Sequence, residues 1–124
     1  MSLLDTSVAV DYLRGHPGAI TLLEGLVAAD EIYASELTRF ELLAGVRARE
    51  LDALESFCSA LRWIPVDEGV TRIAGEFARG FRAAHSGIDD VDYLIAATSI
   101  QYRLALLTTN VRHYPMLTGI QAPY

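Results

Sequence analysis

Brief apolar runs recur between helix-length amphipathic stretches along the whole chain, and this alternation restricts the fold more than any other feature. Leu3-Leu4, Glu31 to Ala34, Trp63 to Val66 and Leu104 to Leu107 read as short strands, the first and last as buried ones. Asp5-Thr6-Ser7 is helix-start chemistry, and it predicts a helix from Val8 to Arg14 that ends at Gly15 with Pro17 just beyond. A second helix carries Ile20, Leu23, Leu26 and Val27 on one side. Ser35 caps a third, Glu36 to Val46, and Leu51, Leu54, Cys58 and Leu61 recur at helical spacing through residues 50–61. Asp67 caps the clearest helix, with Val70, Ile73, Ala74, Phe77, Phe81 and Ala84 in one stripe. His85 to Gly87 form a loop, and Asp89-Asp90 precede an apolar helix from Val91 to Tyr102. Thr108 to Pro115 read as a loop or short helix, and Gly119 to Ala122 as an edge strand.

Strands alternating with helices predict an α/β fold around a short, mainly parallel sheet. Ligands of such sheets bind beyond the carboxyl ends of the strands. Asp5 ends the first strand, and Thr108 to Asn110 follow a later one. Chemistry is expected there.

Composition narrows the chemistry. A length of 124 residues with 52% apolar side chains suits one domain over residues 1–124 with a sizeable core. All ten cations are arginine, so a lysine Schiff base and a Walker-type phosphate lysine are excluded. The lone Cys58 cannot form an internal disulfide, residues 1–10 lack a secretory pattern, and no apolar run spans a bilayer. The reading is a cytoplasmic protein with no membrane segment. The net charge of −6 counts against broad electrostatic binding of nucleic acid.

Three acids stand out. Glu41 shares a helix side with Leu37, Phe40 and Ala44, and no cation sits three or four positions away. An acid on a core-facing side needs a partner or a metal. Asp92 lies in the first turn of the Val91 to Tyr102 helix, where capping and the helix dipole account for an acid equally well. Asp5 likewise has a capping explanation. Taken together, acids from three separated segments can converge at one rim of the sheet. An oxygen-rich cluster of this kind suits Mg²⁺ or Mn²⁺ and not Zn²⁺. His16, His85 and His113 have no metal spacing, Cys58 has no adjacent His, and Ser7 and Ser35 fit caps better than nucleophiles.

At these residues the chain resembles the PIN-domain ribonucleases, in particular the VapC-type toxins of bacterial toxin–antitoxin modules. Leu4 to Val8 resembles the family's opening strand and first acid, at Asp5. Ser35 with Thr38 to Gly45 resembles the second motif, whose Glu falls at Glu41. Asp92-Tyr93-Leu94-Ile95-Ala96-Ala97-Thr98 resembles the third, and Leu107 to Tyr114 the fourth, followed by a closing Gly119-Ile120 strand. The resemblance implies a three-layer α/β/α sandwich, a Mg²⁺ or Mn²⁺ site, homodimerisation, endoribonuclease activity on RNA, and inhibition by a VapB-like antitoxin. Two positions depart from the pattern: Asn110 stands where many relatives carry a fourth Asp, and Thr109 where many carry Arg.

The expected roles follow. Asp5 and Asp92 ligate one firmly held ion, and Glu41 either joins them or acts as the base. Asn110 and Thr108 orient water or substrate, and Arg112, Arg39 and Arg82 are candidate phosphate contacts. The alternative is a catalytically degenerate PIN-like domain that only binds RNA or protein. A phosphoacceptor receiver domain is excluded by the missing early acidic pair and the missing late lysine.

Overall fold

The structure is a computed structural model that describes residues 1–29 and 32–124. Its four strands are β1 (Ser2–Leu4), β2 (Ile32–Ser35), β3 (Arg62–Ile64) and β4 (Ala105–Leu107). They form one parallel sheet in the order β3-β2-β1-β4. Leu3 stands opposite Tyr33 on one side and Leu106 on the other, so β1 is central. The chain builds outward from β1 to β2 and β3, then returns to place β4 on the opposite flank. The strand order therefore reverses at β1, and the crevice at that reversal lies beyond the carboxyl ends of β1 and β4.

The helices are α1 (Thr6–Leu13), α2 (Pro17–Ala28), α3 (Glu36–Gly45), α4 (Leu51–Ser59), α5 (Glu68–Phe81) and α6 (Asp90–Tyr102). Their boundaries follow local chemistry. Gly15 takes φ +82° between α1 and α2, a backbone that side chains with a Cβ rarely adopt. The His16 imidazole accepts the Gly18 and Ala19 backbone N–H groups ahead of α2, while Pro17 fills the first helical position. Ser35 Oγ accepts Leu37 N–H at 3.1 Å, and Asp67 accepts Val70 N–H at 2.9 Å. A 3₁₀ turn, Ala48–Glu50, leads into α4.

Consecutive β1 residues face opposite ways and give the molecule its layers. Leu4, with Ile32 and Ala34, packs against Val8 and Ala9 of α1, Leu23 of α2, Leu42 of α3, and Leu54, Phe57 and Cys58 of α4. Leu3, with Ile64 and Leu106, packs against Ile95 and Ala96 of α6 and against Tyr114. Helix α5 then lies on α6 through Val70, Ala74, Tyr93 and Ala97. Each fully buried Leu or Val contributes about 1.5–3 kcal/mol relative to exposure, which is ample to hold so small a sheet between helical layers. The arrangement is the expected α/β/α sandwich.

Strand expectations change at β3 and at the chain end. Trp63 to Val66 is displaced to Arg62–Ile64 because Pro65 has no N–H for the ladder. Glu31, expected to open β2, lies outside the described residues, and β2 runs on to Ser35. Gly119 to Ala122 is not a strand. Gly119 takes φ +74°, Ile120 turns onto the core, and the chain end is drawn instead to α1 and α2. There Tyr124 donates to Asp11 Oδ2 at 2.6 Å and packs on the His16 ring.

Candidate active site

Asp5 continues β1 into the crevice. Its backbone N–H donates to Leu107 O at 3.0 Å, and it occupies the N-cap position of α1 in extended conformation. Its side chain makes no cap hydrogen bond. It turns across to β4, where Thr108 Oγ1 donates to Oδ2 at 2.7 Å, joined by Ser7 Oγ at 3.2 Å. The same two hydroxyls accept backbone N–H groups, Thr108 from Asn110 and Ser7 from Thr109. One small network thus clamps the turn after β4 to the turn after β1 and holds a carboxylate that is only 6% exposed. The capping explanation for Asp5 does not hold.

Asp92 both closes a capping box and lines the cleft. Asp89 Oδ1 accepts Asp92 N–H at 3.1 Å, and Asp92 Oδ2 accepts Asp89 N–H at 3.3 Å, a reciprocal box at the start of α6. The other oxygen, Oδ1, faces the buried Tyr114 hydroxyl at 3.4 Å. His113 Nδ1 stands 3.3 Å from Oδ2. Burial, with the charges of Asp89 and Asp5 added, raises the Asp92 pKa from 3.8 to about 6, while His113 opposes the shift.

Tyr114 links the two acids. It is 1% exposed, and its hydroxyl donates to Asp5 Oδ1 at 3.1 Å as well as facing Asp92. Burial, then the adjacent carboxylates, push its phenol far above the ordinary range, so it stays a protonated donor. Sequence reasoning passed over this residue. The available signal was a Tyr in the turn after a strand whose partner strand ends in Asp.

Glu41 Oε1 accepts from Thr6 Oγ1 at 2.6 Å, and Thr6 Oγ1 also lies 3.2 Å from the fully buried Thr38 hydroxyl. Its partner is therefore a hydroxyl at the start of α1, in keeping with the absence of a cation three or four positions away on its own helix. Asn110 sits exposed at the rim. Asp5, Glu41, Asp92 and Asn110 all line one open cleft of about 430 Å³, with Asp11, Asp89 and His113. Thr108 is fully buried and its proton is directed to Asp5, so it braces the carboxylate instead of facing the cleft.

The arginines divide differently from expectation. Arg39 pairs with Glu36 at 2.6 Å and lies 4.1 Å from the Trp63 ring centroid, and Arg82 pairs with Asp90 at 2.5 Å. Neither lines the cleft. Arg112 is exposed in the 3₁₀ turn Val111–His113, next to cleft-lining His113. A second depression shares Val10 and Glu41 with the cleft and is lined by Arg14 and Arg47. Thr6, Val10 and Arg14 recur every four residues, so helical spacing along α1 could have found Arg14.

Among the described residues, no three His, Cys, Asp or Glu side chains already form a closed ligand set. The donor set nonetheless fits a hard divalent cation. Mg²⁺ keeps several waters and commonly takes one or two carboxylates plus substrate phosphate, and two crowded carboxylates with unused lone pairs are present here.

The sequence profile of the PIN domain matches residues 2–115. Ribonuclease VapC19 of Mycobacterium tuberculosis is 59% identical over 125 residues, covering 100% of both chains. A toxin–antitoxin complex from Klebsiella pneumoniae superposes with a TM-score of 0.78 at 21% identity, over 100% of this chain and 98% of that one. VapBC2 from Rickettsia felis, bound to a DNA fragment from its promoter, gives 0.81 at 24% identity over 98% and 96%. These two structures share the fold.

Proposed function

The chain belongs to the PIN-domain family, and on that premise we propose that it is a divalent-metal-dependent endoribonuclease, the toxin of a toxin–antitoxin pair. The reading takes residues 1–124 as one PIN-like domain acting in the cytoplasm. The observation that carries it is the meeting of Asp5 and Asp92, from the ends of separate elements, on one buried hydroxyl at the strand-order reversal. The full-length likeness to a ribonuclease supports the substrate class.

In this proposal Asp5 and Asp92 hold Mg²⁺ or Mn²⁺. When bound there, such an ion would lower the pKa of a coordinated water and offset charge on the scissile phosphate. Thr108 and Ser7 fix the rotamer of Asp5, and Asp89 fixes the first turn of α6 and with it Asp92. Glu41 faces the same cleft as a further ligand or as the base that takes the water's proton. Asn110, lacking a charge, orients water or substrate through its amide. Arg14 and Arg47, in the depression adjoining the cleft, and Arg112 beside it are the cations placed to meet flanking phosphates. Placement along one groove offers a local route for a single strand despite the net charge of −6.

Two partners complete the proposal: a VapB-like antitoxin that covers the cleft, and a second copy in a homodimer, checked by light scattering. A binding module without catalysis is the competing reading. It is favoured by Glu41 being tied to Thr6 and by Asn110 standing in place of an acid. Purified protein incubated with cellular RNA in Mg²⁺, in EDTA, and as Asp5→Asn separates the two. Cleavage that disappears in EDTA and in the variant is expected, and binding without cleavage would establish the module instead.

A further inference from the structure

A carboxylate offers about four lone-pair positions, and the two central acids leave some of theirs unused. Asp5 accepts Thr108 and Ser7 on Oδ2 and Tyr114 on Oδ1. Asp92 accepts the Asp89 N–H on Oδ2 beside His113, while its Oδ1 faces only Tyr114 among the contacts of the described residues. Among the described residues, the Tyr114 hydroxyl is thus the one group that touches both carboxylates, with 3.1 Å to Asp5 and 3.4 Å to Asp92. The ring behind it cannot swing away. It is 1% exposed and packed in the core cluster formed by Leu3, Ile95 and Leu106. The adjoining 3₁₀ turn positions it from below, with Tyr114 N–H donating to Val111 O at 3.0 Å.

We propose that Tyr114 is a positioning residue that sets the separation and rotamers of Asp5 and Asp92 before a divalent cation binds. Two carboxylates without a cation repel and turn apart. A single buried donor between them opposes that motion and keeps the remaining lone pairs converging on the cleft. Groups that orient ligating side chains in this way typically change metal affinity 10–100-fold when removed. The inference rests on the metal-site reading above and adds to it a residue of the core that touches neither RNA nor the ion.

The test is Tyr114→Phe, which keeps the ring and deletes only the hydroxyl. Mn²⁺ binding is measured directly by the loss of the free-ion paramagnetic resonance signal, at a temperature well below the apo melting point. Tyr93→Phe, an equally buried Tyr on α6, serves as the comparison. Weakening of Mn²⁺ affinity by tenfold or more in Tyr114→Phe, with Tyr93→Phe unchanged, is expected. A merely structural role would lower the apo melting temperature and leave the affinity alone, and that result, or tighter binding, overturns the proposal. Should Tyr114→Phe not fold, wild-type protein carrying ¹³Cζ-tyrosine provides the second measurement. One of the six tyrosine resonances should move on adding Mg²⁺ and stay still in Asp5→Asn. No moving resonance also overturns it. If wild type binds Mn²⁺ and Tyr114→Phe binds it equally, only this inference fails; if wild type binds none, the metal-site reading fails first.

Discussion

Two fully buried tyrosines show how differently one hydroxyl can act. Tyr114 donates into the acid pair, whereas the Tyr93 hydroxyl has no hydrogen-bond partner among the described residues. A buried polar atom left unpaired costs about 1–3 kcal/mol. Tyr93→Phe should therefore raise stability by about 1 kcal/mol, read from the denaturation midpoint, and a loss of that size would show that a bound water satisfies the hydroxyl. Asp92 permits a prediction with a sign. Its pKa is raised from 3.8 to about 6, so the folded state keeps a proton that the unfolded chain has already released. The resulting stabilisation is complete below about pH 4 and is lost as pH rises through about 6. In EDTA, Asp92→Asn should match wild type near pH 4 and exceed it by about 3 kcal/mol at pH 7.5. Melts that stay parallel across that range would remove burial as the cause of the shift.

At the scale of elements, the start of α6 serves two ends at once. The Asp89–Asp92 box caps the helix and also aims Asp92 at Tyr114. Asp89→Ala should lose about 1 kcal/mol of stability, as cap removal usually does, and should weaken cleavage as well. Asp67→Ala removes the cap of α5, which lies away from the cleft, and should lower the melting temperature while sparing cleavage. Equal effects of both variants on the specific cleavage rate would mean that stability, and not aim, is what Asp89 supplies. The caps were legible in the sequence because capping is chemistry within four residues. The closing strand was misread because pairing at a sheet edge is not local, and the Tyr124 contacts with α1 and α2 took that segment elsewhere.

For the whole molecule, charge placement outweighs charge total. Arg14 and Arg47 line a depression that shares Val10 and Glu41 with an acidic cleft. Replacing both with Ala should flatten the dependence of log affinity for single-stranded RNA on log salt by about 0.7 per lost phosphate contact. Binding measured in EDTA keeps that result independent of cleavage, and an unchanged slope would place the RNA on another face. The same acidic cleft focuses negative potential that suits an inserted Arg or Lys. A cognate antitoxin should suppress cleavage, and replacing its inserted cation with Ala should restore cleavage even in the complex. Full cleavage in a saturated complex would refute that mode of inhibition while leaving the nuclease intact.

The amino-acid sequence alone determined the alternation of elements, the helix starts at Ser35, Asp67 and Asp89, and the three acids worth attention, because each is written in side-chain period or in contacts a few residues apart. It also showed that Glu41 has no cation three or four positions away on its own helix, and the structure supplied Thr6 as its actual partner. The tertiary structure decided which strand lies beside β1. That choice put Thr108 against Asp5 across 103 residues and Tyr114 across 109. It also set Arg39 over the Trp63 ring, away from the cleft, and Arg14 beside it. Such pairings depend on packing both faces of a central strand at once, and no local pattern of residues encodes which distant segment will fill the second face.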